Sequence, residues 1–348
     1  MDERPPRNRP PPPAWIRLAR PLAAELERLI AEDGDEGVAR MEILLDELAE
    51  SAGLPAGFEP SIYLAPGVPR IRPVLVMLAS RAAGADEMRT EDVAFSAELL
   101  HLAVVVHDAA LGRQGGRRRR IARRLLGGAA HWLGGNHLSL RALEVARHAP
   151  APEVLGEALD TLREIAEVQA LAEELRRRDA TERDYRDFAE GHTGAVFAFC
   201  TRAGGRLAGA PRPVVSALGR YGRHVGVAWH ALEDVAVWSL PPDELPNFLA
   251  RAAATGRPVL PLMRALRAEP ELEKVLDRVL RTGDPKAAIQ LSAGIASGGG
   301  LRAGRQLVAE ETLAARRALR LIEPSPHRDA LERIAQMLGR SGAQPAGE

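Results

Sequence analysis

The 348-residue chain balances 47 Lys+Arg against 47 Asp+Glu, and 46% of it is hydrophobic. That composition supplies a large buried core and no global field for nucleic acid, so any basic partner site has to be local. A single cysteine, Cys200, rules out an intrachain disulfide framework, and its apolar setting (AVFAFCTRAG) reads as core.

Residues 1–14 form a Pro/Arg-rich tail that cannot be helical and reads as disordered, either a solvated leader or a docking peptide. No apolar secretory core stands there, and no later run is long and uncharged enough to span a bilayer, so the expectation is a cytoplasmic protein. From Trp15 the pattern is helical. Leu18, Leu22, Leu26 and Leu29 recur at three- and four-residue spacing, as do Met41, Leu44, Leu45 and Leu48. The same periodicity predicts helices over 70–83, 91–111, 136–148, 151–178, 181–209, 211–239, 243–255, 258–268, 270–282, 284–297, 300–321 and 326–339. Breakers such as Pro66-Gly67, Gly84, Gly127-Gly128, Pro150, Pro211 and Gly283 separate them. With no strand alternation and no fixed repeat, the reading is one all-α domain over 15–339 with a flexible tail at 340–348.

Six segments carry chemistry. GVPRIRP at 67–73 holds Arg70 and Arg72, whose planar guanidinium groups suit bidentate bonds to phosphate. ELLHLAVVVHDAALG at 98–112 places His101 and Asp108 seven residues apart, on roughly one helix face. RQGGRRRRIARR at 113–124 is a solvated face, a phosphate site or a site for an acidic partner. It lacks the interleaved aromatics that would stack on single-stranded nucleic acid, and nucleic acid is not expected. HTGAVF at 192–197 opens with His192 and Thr193. GVAWHALEDVAVWS at 226–239 carries His230, Glu233 and Asp234, and GRPVLPL at 256–262 carries Arg257.

In this order the segments resemble the trans-type isoprenyl diphosphate synthases, the polyprenyl synthetase family, over about residues 20–339. The resemblance implies an isoprenoid synthase-like helical bundle around a central cavity. It also implies two Asp-Asp-x-x-Asp motifs that hold Mg²⁺ against a diphosphate. Here the motifs read His-Asp-Ala-Ala-Leu-Gly and Leu-Glu-Asp-Val-Ala-Val. Asp108, Glu233 and Asp234 remain as metal candidates, while Ala109, Gly112 and Val237 stand at acidic positions. The same likeness assigns Arg70, Arg72 and His101 to isopentenyl diphosphate and Arg117 and Arg118 to the allylic phosphate. Gln169 and Thr193 match the family pattern, while His192 and Arg257 stand for lysines and His230 for a glutamine. Only Lys274 and Lys286 are lysines, and such arginine dominance suggests a GC-rich genome, which would explain Lys-to-Arg exchanges but not the loss of aspartates.

The leading expectation is therefore a synthase-like protein with impaired or absent catalysis, acting as a partner or regulatory subunit or as a prenyl diphosphate- or pyrophosphate-binding protein. One alternative is an active Mg²⁺-dependent prenyltransferase that condenses isopentenyl diphosphate with an allylic diphosphate. In that case the small Ala103 and Val104 would leave a hydrocarbon channel open. Another alternative is a ligand-free scaffold, for which Leu99, Ala103, Val106 and Ala110 would line a filled core. The resemblance implies a homodimer or a heterodimer with an active synthase.

Overall fold

In the computed structural model the described residues are 28, 71–85, 90–111, 128–175 and 180–343, and among them there is no strand. The helices are α1 (Ile71–Ala82), α2 (Glu91–Leu111), α3 (Gly128–Arg147), α4 (Glu153–Leu175), α5 (Glu182–Ala189), α6 (Ala195–Leu207) and α7 (Arg212–Ala236). They continue as α8 (Leu245–Thr255), α9 (Leu260–Ala268), α10 (Leu272–Thr282), α11 (Pro285–Ser297), α12 (Gly300–Ala318) and α13 (Pro326–Ala343). None of them is long and apolar enough to cross a membrane.

Local chemistry sets the helix ends. Thr181 and Asp184 form a capping box at the start of α5: the Thr181 side chain accepts the Asp184 N–H, and the Thr181 N–H donates to the Asp184 carboxylate at 2.7 Å. Asp284 caps α11 by accepting the Lys286 N–H at 2.9 Å, with Pro285 at the first helical position. α8 ends at Gly256, which takes the left-handed conformation (φ 71°) and hands the chain to Arg257.

The main core joins α1, α2, α3, α6, α7, α12 and α13, with Leu75, Phe197, Tyr221 and Leu331 fully buried. Tyr221 closes it by donating its hydroxyl to the Leu331 carbonyl at 2.7 Å. A second cluster holds α8 to α11 together around Leu249, Leu291 and Ile295. α7 lies between α6 and α12 and also touches the turn after α5. At that crossing Gly226 lies against Gly194, and a Cβ on Gly226 would stand 2.7 Å from the Gly194 Cα. Cys200 is fully buried, and desolvation pushes its thiol up to about 12, so it is an inert core residue as expected.

Three boundaries differ from the sequence reading. The helix expected over 181–209 is interrupted by a π turn at Glu190–Gly194. α3 starts at Gly128 rather than 136, because Gly134 and Gly135 are taken into the helix where it packs closely against His107 of α2. α13 runs to Ala343, so residues 340–343 belong to the last helix. The Pro/Arg-rich tail, the helices read around Leu18–Leu29 (save Arg28) and Met41–Leu48, and the whole 113–124 arginine run lie outside the described residues.

Leu99, Ala103 and Val106 are 0%, 1% and 0% exposed and belong to the main core, so they fill space rather than line a channel. Val104 is buried in a separate small cluster with Ile165 of α4 and Val196 of α6. The open channel expected at Ala103 and Val104 is corrected here: both side chains are packed. The side chain of Ala110 lies outside the described residues.

Candidate functional site

The π turn builds the centre of the site. A π turn widens a helix by one residue and rotates the succeeding turn relative to the preceding one, and this one carries His192 and Thr193. The His192 ring stacks on Phe188 of α5 at 5.1 Å and 15°. Its Nε2 lies 3.0 Å from Asp108 Oδ2 on α2, and its Nδ1 lies 3.4 Å from Thr193 Oγ1. Thr193 Oγ1 in turn lies 2.9 Å from His230 Nδ1 on α7. A chain of side chains thus runs from α2 through the π turn to α7.

At the α7 end the environment is dry. Asp234 is 0% exposed, and both its oxygens are taken: Arg257 Nη2 donates to Oδ1 at 2.7 Å and the Tyr185 hydroxyl donates to Oδ2 at 2.9 Å. Burial pushes the Asp234 carboxyl up to about 6, against the pull of Arg257 and Tyr185. The same burial holds Tyr185 well above the usual phenol range, with Asp234 adding to the effect. His230 is lowered well below its ordinary value by burial and by the charges of Arg257 and His192, so it is neutral. Its Nε2 sits 4.0 Å from Asp234, too far for a hydrogen bond. Glu233, one residue earlier, is half-buried, accepts the Trp229 indole N–H at 3.0 Å, and is raised by desolvation.

The remaining described candidates lie on α1, α2 and α4. Arg72 on α1 is buried, pairs with Glu98 of α2 at 3.4 Å, and lies 5.6 Å over the Phe197 ring. His101 is half-buried on α2, two turns before Asp108. Gln169 is half-buried on α4, and Val168 beside it packs against Gly191 of the π turn. Arg70, Arg117 and Arg118 lie outside the described residues. The structure therefore links Asp108, His192, Thr193 and His230 in one run and sets the Asp234–Arg257 pair beside its His230 end, with Arg72 on a separate pair of its own.

Four nitrogens at candidate positions, Arg72 Nε, Gln169 Nε2, His230 Nε2 and Arg257 Nε, are buried without a hydrogen-bond partner. Buried donors ordinarily have acceptors, and a ligand rich in anionic oxygens supplies them. Metal fits less evenly. Among the described residues no three His, Cys, Asp or Glu side chains group to hold a cation. Asp108, with 35% of its side chain exposed, and the half-buried Glu233 suit Mg²⁺ completed by substrate oxygens and water. Asp234 suits it less, because it is fully buried and each oxygen already accepts a hydrogen bond, from Arg257 and from Tyr185. A cavity of about 60 Å³ opens beside Tyr185, bounded by Arg186, Arg264, Gln306 and Glu310.

Sequence reasoning missed Tyr185, Phe188 and Glu98 as site-forming groups. Tyr185, Phe188 and His192 follow a three- and four-residue spacing, but two aromatics at that spacing read equally well as core.

A family model described as polyprenyl synthetase matches residues 58–293 of the chain. A prenyl transferase of Synechocystis sp. is 29% identical over 283 residues, covering 79% of this chain and 86% of that protein. The fold superposes on a decaprenyl diphosphate synthase of Rhodobacter capsulatus with a TM-score of 0.67 at 25% identity, covering 94% of this chain and 98% of that one. A polyprenyl synthase of Caulobacter crescentus, solved with calcium and isoprenyl diphosphate, gives a TM-score of 0.65 at 25% identity, covering 94% and 97%.

Proposed function

The chain belongs to the polyprenyl synthetase family, and from that premise we propose that it is a prenyltransferase that joins isopentenyl diphosphate to an allylic diphosphate. The observation that carries this reading is the linked group itself: one run of hydrogen bonds joins the acid of α2, the π turn and α7. Unsatisfied buried donors lie at both the α7 end and the Gln169 position.

Ionisation of an allylic diphosphate leaves a carbocation and a highly charged pyrophosphate, so the site must stabilise the leaving group. Arg257 and His192 are the cationic or potentially cationic groups next to the linked acids. Arg72 and His101, with Arg70, take the acceptor diphosphate, and Arg117 and Arg118 take the allylic one. Gln169 and Thr193 orient phosphate oxygens by hydrogen bonds. Asp108 and Glu233 are the acids that would hold Mg²⁺, which would supply further neutralisation of diphosphate charge.

A second reading is a prenyl diphosphate-binding partner or regulatory subunit without turnover. It is favoured by one specific observation, the closure of Asp234 under Arg257 and Tyr185. The deciding test is turnover of the purified chain with labelled isopentenyl diphosphate and C5 to C20 allylic primers, with and without Mg²⁺. Elongated product establishes the transferase. Absence of product from every primer, with thermal stabilisation by the same diphosphates, establishes the binding subunit.

A further inference from the structure

Arg257 occupies the position from which a cation would serve the α7 acids. Its Nη2 holds Asp234 Oδ1 at 2.7 Å, and its charge is favoured by Asp234 and Glu233 on α7 and by Asp108 on α2, although burial opposes it. The guanidinium therefore stands within electrostatic reach of acids on both helices. Its backbone is anchored: Gly256 turns the chain at φ 71°, and the Arg257 N–H donates to the Ala252 carbonyl at 3.0 Å. The side chain also packs 5.7 Å over the Phe248 ring, which restricts where it can swing.

We propose that Arg257 is a built-in replacement for a metal ion at Asp234, so that this acid's part of the site takes a diphosphate by direct guanidinium contact. A divalent ion at Asp234 would have to reach a fully buried carboxylate whose two oxygens already accept from Arg257 and Tyr185, and would then sit beside a fixed positive charge. A guanidinium has five N–H donors in a planar fork, so one edge holds Asp234 while the others remain for phosphate oxygens. Arg257 Nε is buried without a partner while 21% of the side chain is exposed, so the group keeps donor capacity beyond its contact with Asp234. Lysine could neutralise the same carboxylate but lacks a second fixed edge. This inference rests on the reading that the chain binds diphosphates.

The test is binding of inorganic pyrophosphate to the full chain, followed by calorimetry and thermal shift, in EDTA and in Mg²⁺. The wild-type chain should bind and be stabilised in EDTA. Removing the charge-assisted contact in the neutral double variant Arg257→Gln/Asp234→Asn, which leaves no unpaired buried charge, should weaken that metal-free binding about tenfold or more. Asp234→Asn alone should keep or tighten it, because the guanidinium is no longer shared with a carboxylate. If pyrophosphate binds only with Mg²⁺ and Asp234→Asn abolishes binding, Asp234 is a metal ligand and the inference falls while the diphosphate reading stands. If pyrophosphate binds under neither condition, the inference falls together with that reading. Metal-free binding undiminished in the double variant also overturns it, since other cations then carry the anion.

Discussion

Asp108, at one end of the side-chain run, and Asp234, 4.0 Å beyond its His230 end, are the same residue type in sharply different surroundings. Asp108 keeps 35% of its side chain in solvent and meets one imidazole, whereas Asp234 is sealed beneath a guanidinium and a phenol. An exposed carboxylate is free to exchange partners for little energy. A buried one is committed, because each partner removed leaves a charge or a polar atom without water. Two acids that look equivalent in sequence therefore divide into one adaptable group and one structural pair.

The largest effect that would sharpen this contrast is on stability. Arg257→Leu strands the buried Asp234 charge and should cost about 3 to 5 kcal/mol by urea denaturation at neutral pH. A cost near zero would show that the pair is open to water and would erase the difference between the two ends. Tyr185→Phe removes a single donor from the same carboxylate and should cost about 1 to 2 kcal/mol in the same measurement.

The α7 end should also show opposed pH effects in metal-free protein. Asp234 is raised from 3.8 to about 6, so the folded chain holds the extra proton between those values. Its contribution is present at low pH and is lost as pH rises toward 6. His230 is lowered from 6.5, so the unfolded chain holds the extra proton below that value, and its contribution is lost as pH falls through that range. The two slopes, each at most about 1.4 kcal/mol per pH unit, offset one another in the wild-type chain. Relative to it, His230→Gln should lose stability as pH rises between 3.8 and 6, and Asp234→Asn should gain it up to 6.5. Urea midpoints measured across that range, unchanged in slope for both variants, would contradict the buried state of this end.

The smallest effect belongs to the α2 end. Asp108→Ala should change stability by less than about 1 kcal/mol, as expected for a partly exposed pair. A loss as large as that of Arg257→Leu would place Asp108 in the same closed class as Asp234.

The helical domain was legible because apolar residues return every three or four positions along α4, α7 and α12, and because Pro and Gly stand at their ends. The segments around Asp108, Thr193, His230 and Arg257 were legible as a family resemblance. The π turn was not, since Glu190–Gly194 has no apolar residue whose spacing would mark an extra position, and the close approaches at Gly191 and Gly194 are made by distant parts of the chain as well as neighbours. The start of α3 was not legible either, since Gly134 and Gly135 have poor helix propensity and the close approach of Gly135 to His107 of α2 is a tertiary contact.

Sequence alone determined the helix class, the family and the identity of the acids that remain. Only the tertiary structure decided which of those acids is open. The sequence distance between Arg257 and Asp234, or between Tyr185 and Asp234, carries no information about contact. Burial, which sets whether a carboxylate is a ligand or half of a closed pair, arises from elements packed together from distant parts of the chain.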